Sequence, residues 1–329
     1  MTSGEFREFF YKEKLDLENL EQDTIVIFDT NTLLNIYRYS NDTREKLIKA
    51  IKSIKENVWM PYQVGLEFNL NRRNVIESLK KAQGDKKTQI NEKIKYSIDV
   101  LSQCISEISL KSTDAKSKKN EINSYIENQL TMLNTDLNKK VEEVYEMLDL
   151  EKDLASEIAS IFEGRIGNCY TQEELDEKLK DAETRYAREI PPGYKDSKKK
   201  GKVYYNDIEI EEKYGDLIVW HQILDKAKIE ENISKVVFVT DDNKGDWWYK
   251  GVNNITIGPR AELKNEMYRL AEADLFMLNA NSFLNNFSNS DKDLIENEEL
   301  PVKSILNEIK KMKELVNWYV IRRWGIIKF

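Results

Sequence analysis

Six carboxylates stand out by position rather than by number. Asp29 ends the apolar run Thr24-Ile25-Val26-Ile27-Phe28, and Asp241 and Asp242 end a second run, Val236-Val237-Phe238-Val239-Thr240, with Asp246 shortly after. Glu67 follows a junction at Pro61, and Asp216 opens an apolar helical stretch containing Leu217, Trp220, Ile223, Leu224 and Ala227. Acids that converge repel one another and raise each other's pKa unless a cation resides among them. With no histidine or cysteine in the set, hard oxygen donors suit Mg²⁺ or Mn²⁺. Ions held this way lower the pKa of a bound water, align it with a phosphodiester and stabilise the leaving oxygen, chemistry that needs no histidine.

Taken singly, each acid has a plainer account. Asp29 can cap the helix that follows, Glu67 can be an ordinary helix-surface glutamate, and Asp216 can stabilise a helix dipole. Two strands aiming carboxylates at one sheet edge make a cluster of them, because open α/β sheets place their sites at the carboxyl ends of strands.

The elements that must position these acids follow from periodicity. Residues 24–28 and 236–240 read as buried parallel strands, with a short strand at Val58-Trp59-Met60, another at Ile255-Thr256-Ile257-Gly258 and an apolar run at Leu275-Phe276-Met277-Leu278. Helices are predicted over 5–23, from Asn41 through Ile54, from Pro61, over 151–163, from the capping pattern Thr171-Gln172-Glu173-Glu174, from Tyr214, and from Pro259. Strands alternating with helices imply an α/β fold with a mostly parallel sheet covered on both faces. Residues 75–150 differ: rows of isoleucine, leucine and valine at helical spacing predict two long antiparallel helices, separated by a polar turn over Lys111–Asn120. Residues 285–300 read as a linker, followed by a helix from Val302 to Val316 and an aromatic ending. The expected organisation is therefore a core over 1–75 and 190–288, a helical insertion over 76–189 and a C-terminal helical tail over 289–329.

Composition removes several function classes. The 329 residues carry a net charge of -8, which argues against nonspecific coating of nucleic acid but leaves room for a local basic groove. One histidine, His221, makes a His-rich metal site or a histidine-based triad a poor fit, and two cysteines, Cys104 and Cys169, make no disulfide framework or cysteine zinc site. The start of the chain lacks a signal-peptide pattern, and no run is long and apolar enough to span a membrane, so a cytoplasmic protein is expected. The densest basic patch follows a break at Pro191-Pro192-Gly193 and includes Lys195, Lys198 and Lys199; with Lys244, Arg72 and Arg73 it supplies candidates for gripping a phosphate backbone.

Four segments together resemble the PIN-domain nucleases: Asp29-Thr30-Asn31-Thr32-Leu33-Leu34, Pro61 through Phe68, Gly215-Asp216-Leu217-Ile218-Val219-Trp220, and Val239 through Trp248. The likeness is to the large bacterial PIN-like subgroup, whose Pro-Pro-Gly-Tyr-Lys-Asp segment corresponds to Pro191 through Asp196. It implies a Rossmann-like sheet and a metal-dependent endonuclease, usually acting on RNA. Asp29, Glu67 and Asp216 would be metal ligands, with Asn31 and Thr240 as polar supports. The fourth acid stays open: Asp242 fits the strand-end position, while Asp246 fits the position before the aromatic pair.

Two rivals follow. A phosphohydrolase of the haloacid-dehalogenase type shares the strand-Asp openings, but needs a second Asp where this chain has Asn31. A partner-binding module would use the helical insertion and the aromatic tail. Family analogy also suggests a toxin or antiphage-defence effector held in check by a regulatory protein or by self-association.

Overall fold

A computed structural model describes residues 6–9, 15–107, 113–146, 153–230 and 232–287. Contacts divide the chain into two units, one comprising residues up to Arg72 and from Leu154 onward, the other Arg73–Asp153.

In chain order, the first unit begins with β1 (Thr24–Phe28), α1 (Thr30–Asn35), α2 (Asn41–Ser53) and the start of α3 (Tyr62–Ser106). The second unit holds the rest of α3 and α4 (Thr113–Glu146). The first unit resumes with α5 (Ala155–Ile161), α6 (Gln172–Leu179), α7 (Ala182–Ala187), the hairpin of β2 (Lys202–Tyr205) and β3 (Ile208–Glu211), and α8 (Gly215–Ile229). It closes with β4 (Lys235–Val239), the hairpin of β5 (Trp248–Lys250) and β6 (Thr256–Pro259), α9 (Ala261–Ala271), β7 (Asp274–Leu278) and α10 (Ala280–Asn285).

A parallel sheet in the order β1-β4-β7 forms the centre. Parallel bridges from Val26 to Val58 and from Met60 to Ile166 extend it beyond β1. All five residues of β1 are buried, as expected of a strand covered on both faces. Phe28 meets Phe283 edge-on at 5.1 Å and Phe162 at 6.5 Å, so α10 and the end of α5 close over it. Each such buried apolar side chain contributes roughly 1.5–3 kcal/mol. Leu154, Ile158, Ile161 and Phe162 are buried as well, and residues from 154 onward group with the sheet rather than with the long helices. Apolar spacing alone establishes that such a helix has a buried face, not which body it covers.

Register does the positioning. Phe28 pairs with Val239 and Val239 with Leu278, so Asp29, Thr240 and Asn279 leave the sheet side by side at its carboxyl edge. The amide of Asp29 donates to the Val239 carbonyl and that of Thr240 to the Leu278 carbonyl, each at 2.9 Å, which carries the ladder one residue past the strands.

Several expectations are corrected. The Glu67 helix and the first of the two long helices are one element that runs unbroken to Ser106, and α4 begins at Thr113, inside the stretch read as a turn. Lysine, glutamate and glutamine are good helix formers, so polarity there is no stop signal, and Gly84 alone does not break the helix. The two helices do run antiparallel, with Lys87 paired to Glu142 and Asn138 Nδ2 donating to Asn91 Oδ1 at 3.1 Å. Residues 256–259 pair antiparallel with 248–250 instead of joining the central sheet, and the hairpin of β2 and β3 follows a segment read as a loop. The helix expected over 5–23 is, in its described parts, a 3₁₀ turn at Arg7–Phe9 and irregular turns. Asp16 accepts there from the Glu18 amide at 3.1 Å and from Asn19 at 2.9 Å, local bonds that compete with a helix. The C-terminal helix Val302 to Val316 and its aromatic ending lie outside the described residues. No helix among the described residues is long and apolar enough to cross a membrane.

Candidate active site

Asp29 sits where β1 gives way to α1 and serves as the N-cap, its Oδ1 accepting from the Thr30 amide at 2.7 Å. Its Oδ2 accepts from Asn31 Nδ2 and from the Thr240 hydroxyl, each at 2.6 Å. The capping account and the site account therefore hold together. Burial, and then the charges of Asp216, Glu67 and Asp242, push its pKa up to about 8, against the pull of the Thr240 bond.

Glu67 lies on α3, a little more than one turn from its start, and is locked from two sides. Thr30 Oγ1 donates to Oε2 at 2.9 Å, and Gln63 Nε2, one turn back on α3, donates to Oε1 at 2.8 Å. The backbone of Gly215 passes so close that a Cβ there would lie 2.7 Å from Glu67 Oε1. A side chain at 215 would displace the carboxylate, which explains a glycine at the start of α8. Burial raises the Glu67 carboxyl above its usual range, although Gln63, Thr30, Lys199 and Lys244 oppose it.

Asp216, next in the chain, projects from the first turn of α8. Burial raises its pKa to about 7; Lys244 lowers it, while Asp242, Asp196 and Glu67 raise it further. A cavity of about 610 Å³ is lined by Asp29, Glu67, Asp196, Asp216 and Asp242, with Lys199 and Lys244 among them. Four acids singled out from the sequence, Asp29, Glu67, Asp216 and Asp242, thus share one concavity, delivered by four separate elements.

Lys244 enters this group directly. Its Nζ lies 2.9 Å from Asp196 Oδ2, 2.9 Å from Asp242 Oδ2 and 3.5 Å from Asp216 Oδ2. Burial opposes its charge, yet the three carboxylates hold its pKa well above the usual lysine range. Burial likewise opposes ionisation of Asp196, but bonds from Lys199 and Lys244 keep its pKa below the usual value.

Asp241 and Asp246 are engaged elsewhere and do not line this cavity. Asp241 Oδ2 accepts from Asn35 Nδ2 at 2.8 Å and from the Tyr39 hydroxyl at 2.9 Å, and Oδ1 accepts from the Ala280 amide at 2.9 Å. Asp246 is fully buried, and its Oδ2 accepts from the amides of Gly193 and Lys195, each at 3.1 Å. It ties down the turn that carries Asp196. Asn31 and Thr240 brace the edge: Asn31 Oδ1 accepts from the Asp241 amide at 3.0 Å, and Thr240 Oγ1 from the Asp242 amide at 3.0 Å.

Of the basic candidates, Lys199 and Lys244 line the cavity. Lys195 and Lys198 are exposed on the adjoining turn, the former with its ammonium 5.3 Å from the Tyr194 ring centre. Arg72 donates to Asn69 Oδ1 at 2.7 Å, one turn back on its own helix, and Arg73 belongs to the second unit. Sequence reasoning did not single out Asp196, Thr30 or Gln63. The signal for Asp196 was its place at the end of Pro191–Asp196; Thr30 and Gln63 act through side-chain bonds that only the fold creates.

Among the described residues, no three Asp, Glu, His or Cys side chains already close round a common point as a metal would require. The donor chemistry nevertheless fits a divalent cation: buried oxygens, burial and neighbouring carboxylates that raise the pKa of Asp29 and Asp216, and lysine charges that offset part of the repulsion. Asp29, Glu67 and Asp216 are the residues that would hold it.

A family model described as a PIN like domain matches residues 25–263, and the chain belongs to that family. No curated protein and no solved structure matches the chain. The PIN-like fold is one of nuclease type, and its substrate class is nucleic acid.

Proposed function

We propose that this chain is a Mg²⁺- or Mn²⁺-dependent endoribonuclease, cutting phosphodiester bonds in single-stranded or looped RNA. The observation that carries this reading is the convergence of Asp29, Glu67, Asp216 and Asp242 on one cavity that lysines also enter. A bound divalent ion would supply a more acidic water and a counter-charge for the leaving oxygen. The chain's own residues do the rest. Thr30, Asn31, Gln63 and Thr240 fix the rotamers of Asp29 and Glu67, so the carboxylates need little reorganisation when a cation arrives. Lys199, beside the cavity, and the exposed Lys195 and Lys198 attract the phosphate backbone.

The phosphohydrolase alternative is disfavoured by Asn31, whose amide donates to Asp29 and carries no proton it can release as a general acid. A cytoplasmic setting is part of the same proposal, and so is a role as a toxin or antiphage-defence effector restrained by a partner or by self-association, which rests on family analogy.

The test is to incubate purified protein with total RNA, and separately with single- and double-stranded DNA, with Mg²⁺ or Mn²⁺ and with EDTA, and to map the ends. Metal-dependent internal cuts in RNA are expected. Cleavage confined to DNA would overturn the substrate assignment, and undiminished cleavage in EDTA would overturn the metal assignment.

A further inference from the structure

A lysine at the rim of an acidic site ordinarily points outward to a phosphate. Lys244 does not. Its ammonium is enclosed by Asp196, Asp216 and Asp242, two of these contacts being 2.9 Å and the third 3.5 Å. Of the six acids that line the cavity, all but Glu212 therefore fall into two groups. Among the described residues, Asp29 and Glu67 have no ammonium or guanidinium bonded to them; their partners are neutral hydroxyl and amide donors. Asp196, Asp242 and the near side of Asp216 surround a fixed positive charge. Asp216 also adjoins the first group.

Two-ion nucleases place their cations about 3.5–4 Å apart, with a shared carboxylate between them. An ammonium among three carboxylates sits where a second such ion would need its ligands. It is anchored from behind: the Lys244 amide donates to Asp242 Oδ1 at 2.9 Å, and Asp196 is held in turn by Lys199 at 2.7 Å and by the Asp246-bound turn.

We propose that Lys244 is a built-in second cation: its ammonium occupies the place of a second divalent ion among Asp196, Asp216 and Asp242, so that the chain binds one divalent ion, at Asp29, Glu67 and Asp216. This rests on the metal-dependent reading above and deepens it. A fixed ammonium beside a single ion keeps positive charge next to the phosphodiester without depending on a second ion's concentration.

The experiment counts ions without requiring turnover. Mn²⁺ is titrated into metal-free protein by calorimetry and by electron paramagnetic resonance, for wild type, Lys244→Met and Lys244→Arg, with circular dichroism to confirm folding. Wild type and Lys244→Arg are expected to bind one Mn²⁺ per chain, and Lys244→Met two, with spin coupling between the paired ions in its spectrum. Two ions in the wild type would overturn the proposal while leaving the nuclease reading standing. One ion in a folded Lys244→Met would overturn it as well. No Mn²⁺ bound by the wild type would overturn the metal-dependent reading and this proposal with it.

Discussion

The cavity wall and the loop behind it contain the same kind of side chain in different electrical surroundings. Behind the wall, Asp241 accepts from Asn35, Tyr39 and the Ala280 amide, and Asp246 accepts from the amides of Gly193 and Lys195. Those bonds join β4 to α1, α10 and the 193–196 turn. On the wall, burial raises the pKa of Asp29, Glu67 and Asp216, and neighbouring carboxylates raise those of Asp29 and Asp216 further, an arrangement that costs folding free energy. What separates the loop acids here is where each carboxylate is held, not its position in a motif: Asp241 and Asp246 bond to neighbouring elements away from the cavity and Asp242 lines it, although the three lie within one loop.

The sharpest way to break this comparison is to remove charge from the wall. Asp216→Asn keeps the shape and deletes a carboxylate that adjoins both groups of acids. Cleavage of RNA is expected to fall by on the order of 10³-fold or more, while the metal-free protein melts at the same temperature or higher, since a repelling charge has gone. Assaying initial rates alongside thermal unfolding checks both; a variant that cleaves at the wild-type rate would remove Asp216 from the chemistry.

The complementary change is behind the wall. Asp246→Ala leaves the amides of Gly193 and Lys195 buried without an acceptor, and each such loss costs about 1–3 kcal/mol. Returning the strain of a buried carboxylate offsets part of this, so the expected net destabilisation is about 2–4 kcal/mol. Chemical denaturation measures it. Asp246→Asn, which retains an acceptor oxygen, should lose less; equal losses in the two variants would show that the bonds to the 193–196 turn are not what Asp246 contributes.

Much of this division was legible before the coordinates, and some was not. Strands ending in Asp29 and in Asp241-Asp242 were readable because a buried parallel strand is continuously apolar and its polar end marks the sheet edge. Which of the three loop acids faces the cavity was not, because alternatives one and four residues apart differ only in side-chain direction, which the donors at Asn35, Tyr39, Ala280, Gly193 and Lys195 decide. The inward path of Lys244 was hidden likewise: a lysine in a polar loop is the ordinary sign of a solvated surface. That the Glu67 helix and the long helix after it are one element was hidden for a different reason, since the polar residues after Phe68 favour helix as strongly as the apolar ones and mark no boundary.

The smallest expected effect tests the cost of burying these acids beside one another. Asp29 and Asp216 have folded pKa values of about 8 and about 7, above the ordinary value of 3.8. Between those limits the folded state holds protons that the unfolded state has released, so stability is greatest at the acidic end of the window and falls as pH rises from about 4 toward 8. Scanning the metal-free protein between pH 5.5 and 8 should lower the melting temperature by on the order of 5 °C. Mg²⁺ competes with those protons, so its stabilising shift should be larger at pH 8 than at pH 5.5. In Asp216→Asn the metal-free slope should flatten. A melting temperature that rises over this range in the wild type would mean that Asp29 and Asp216 ionise in the fold without cost, and the contrast between the two regions would be lost.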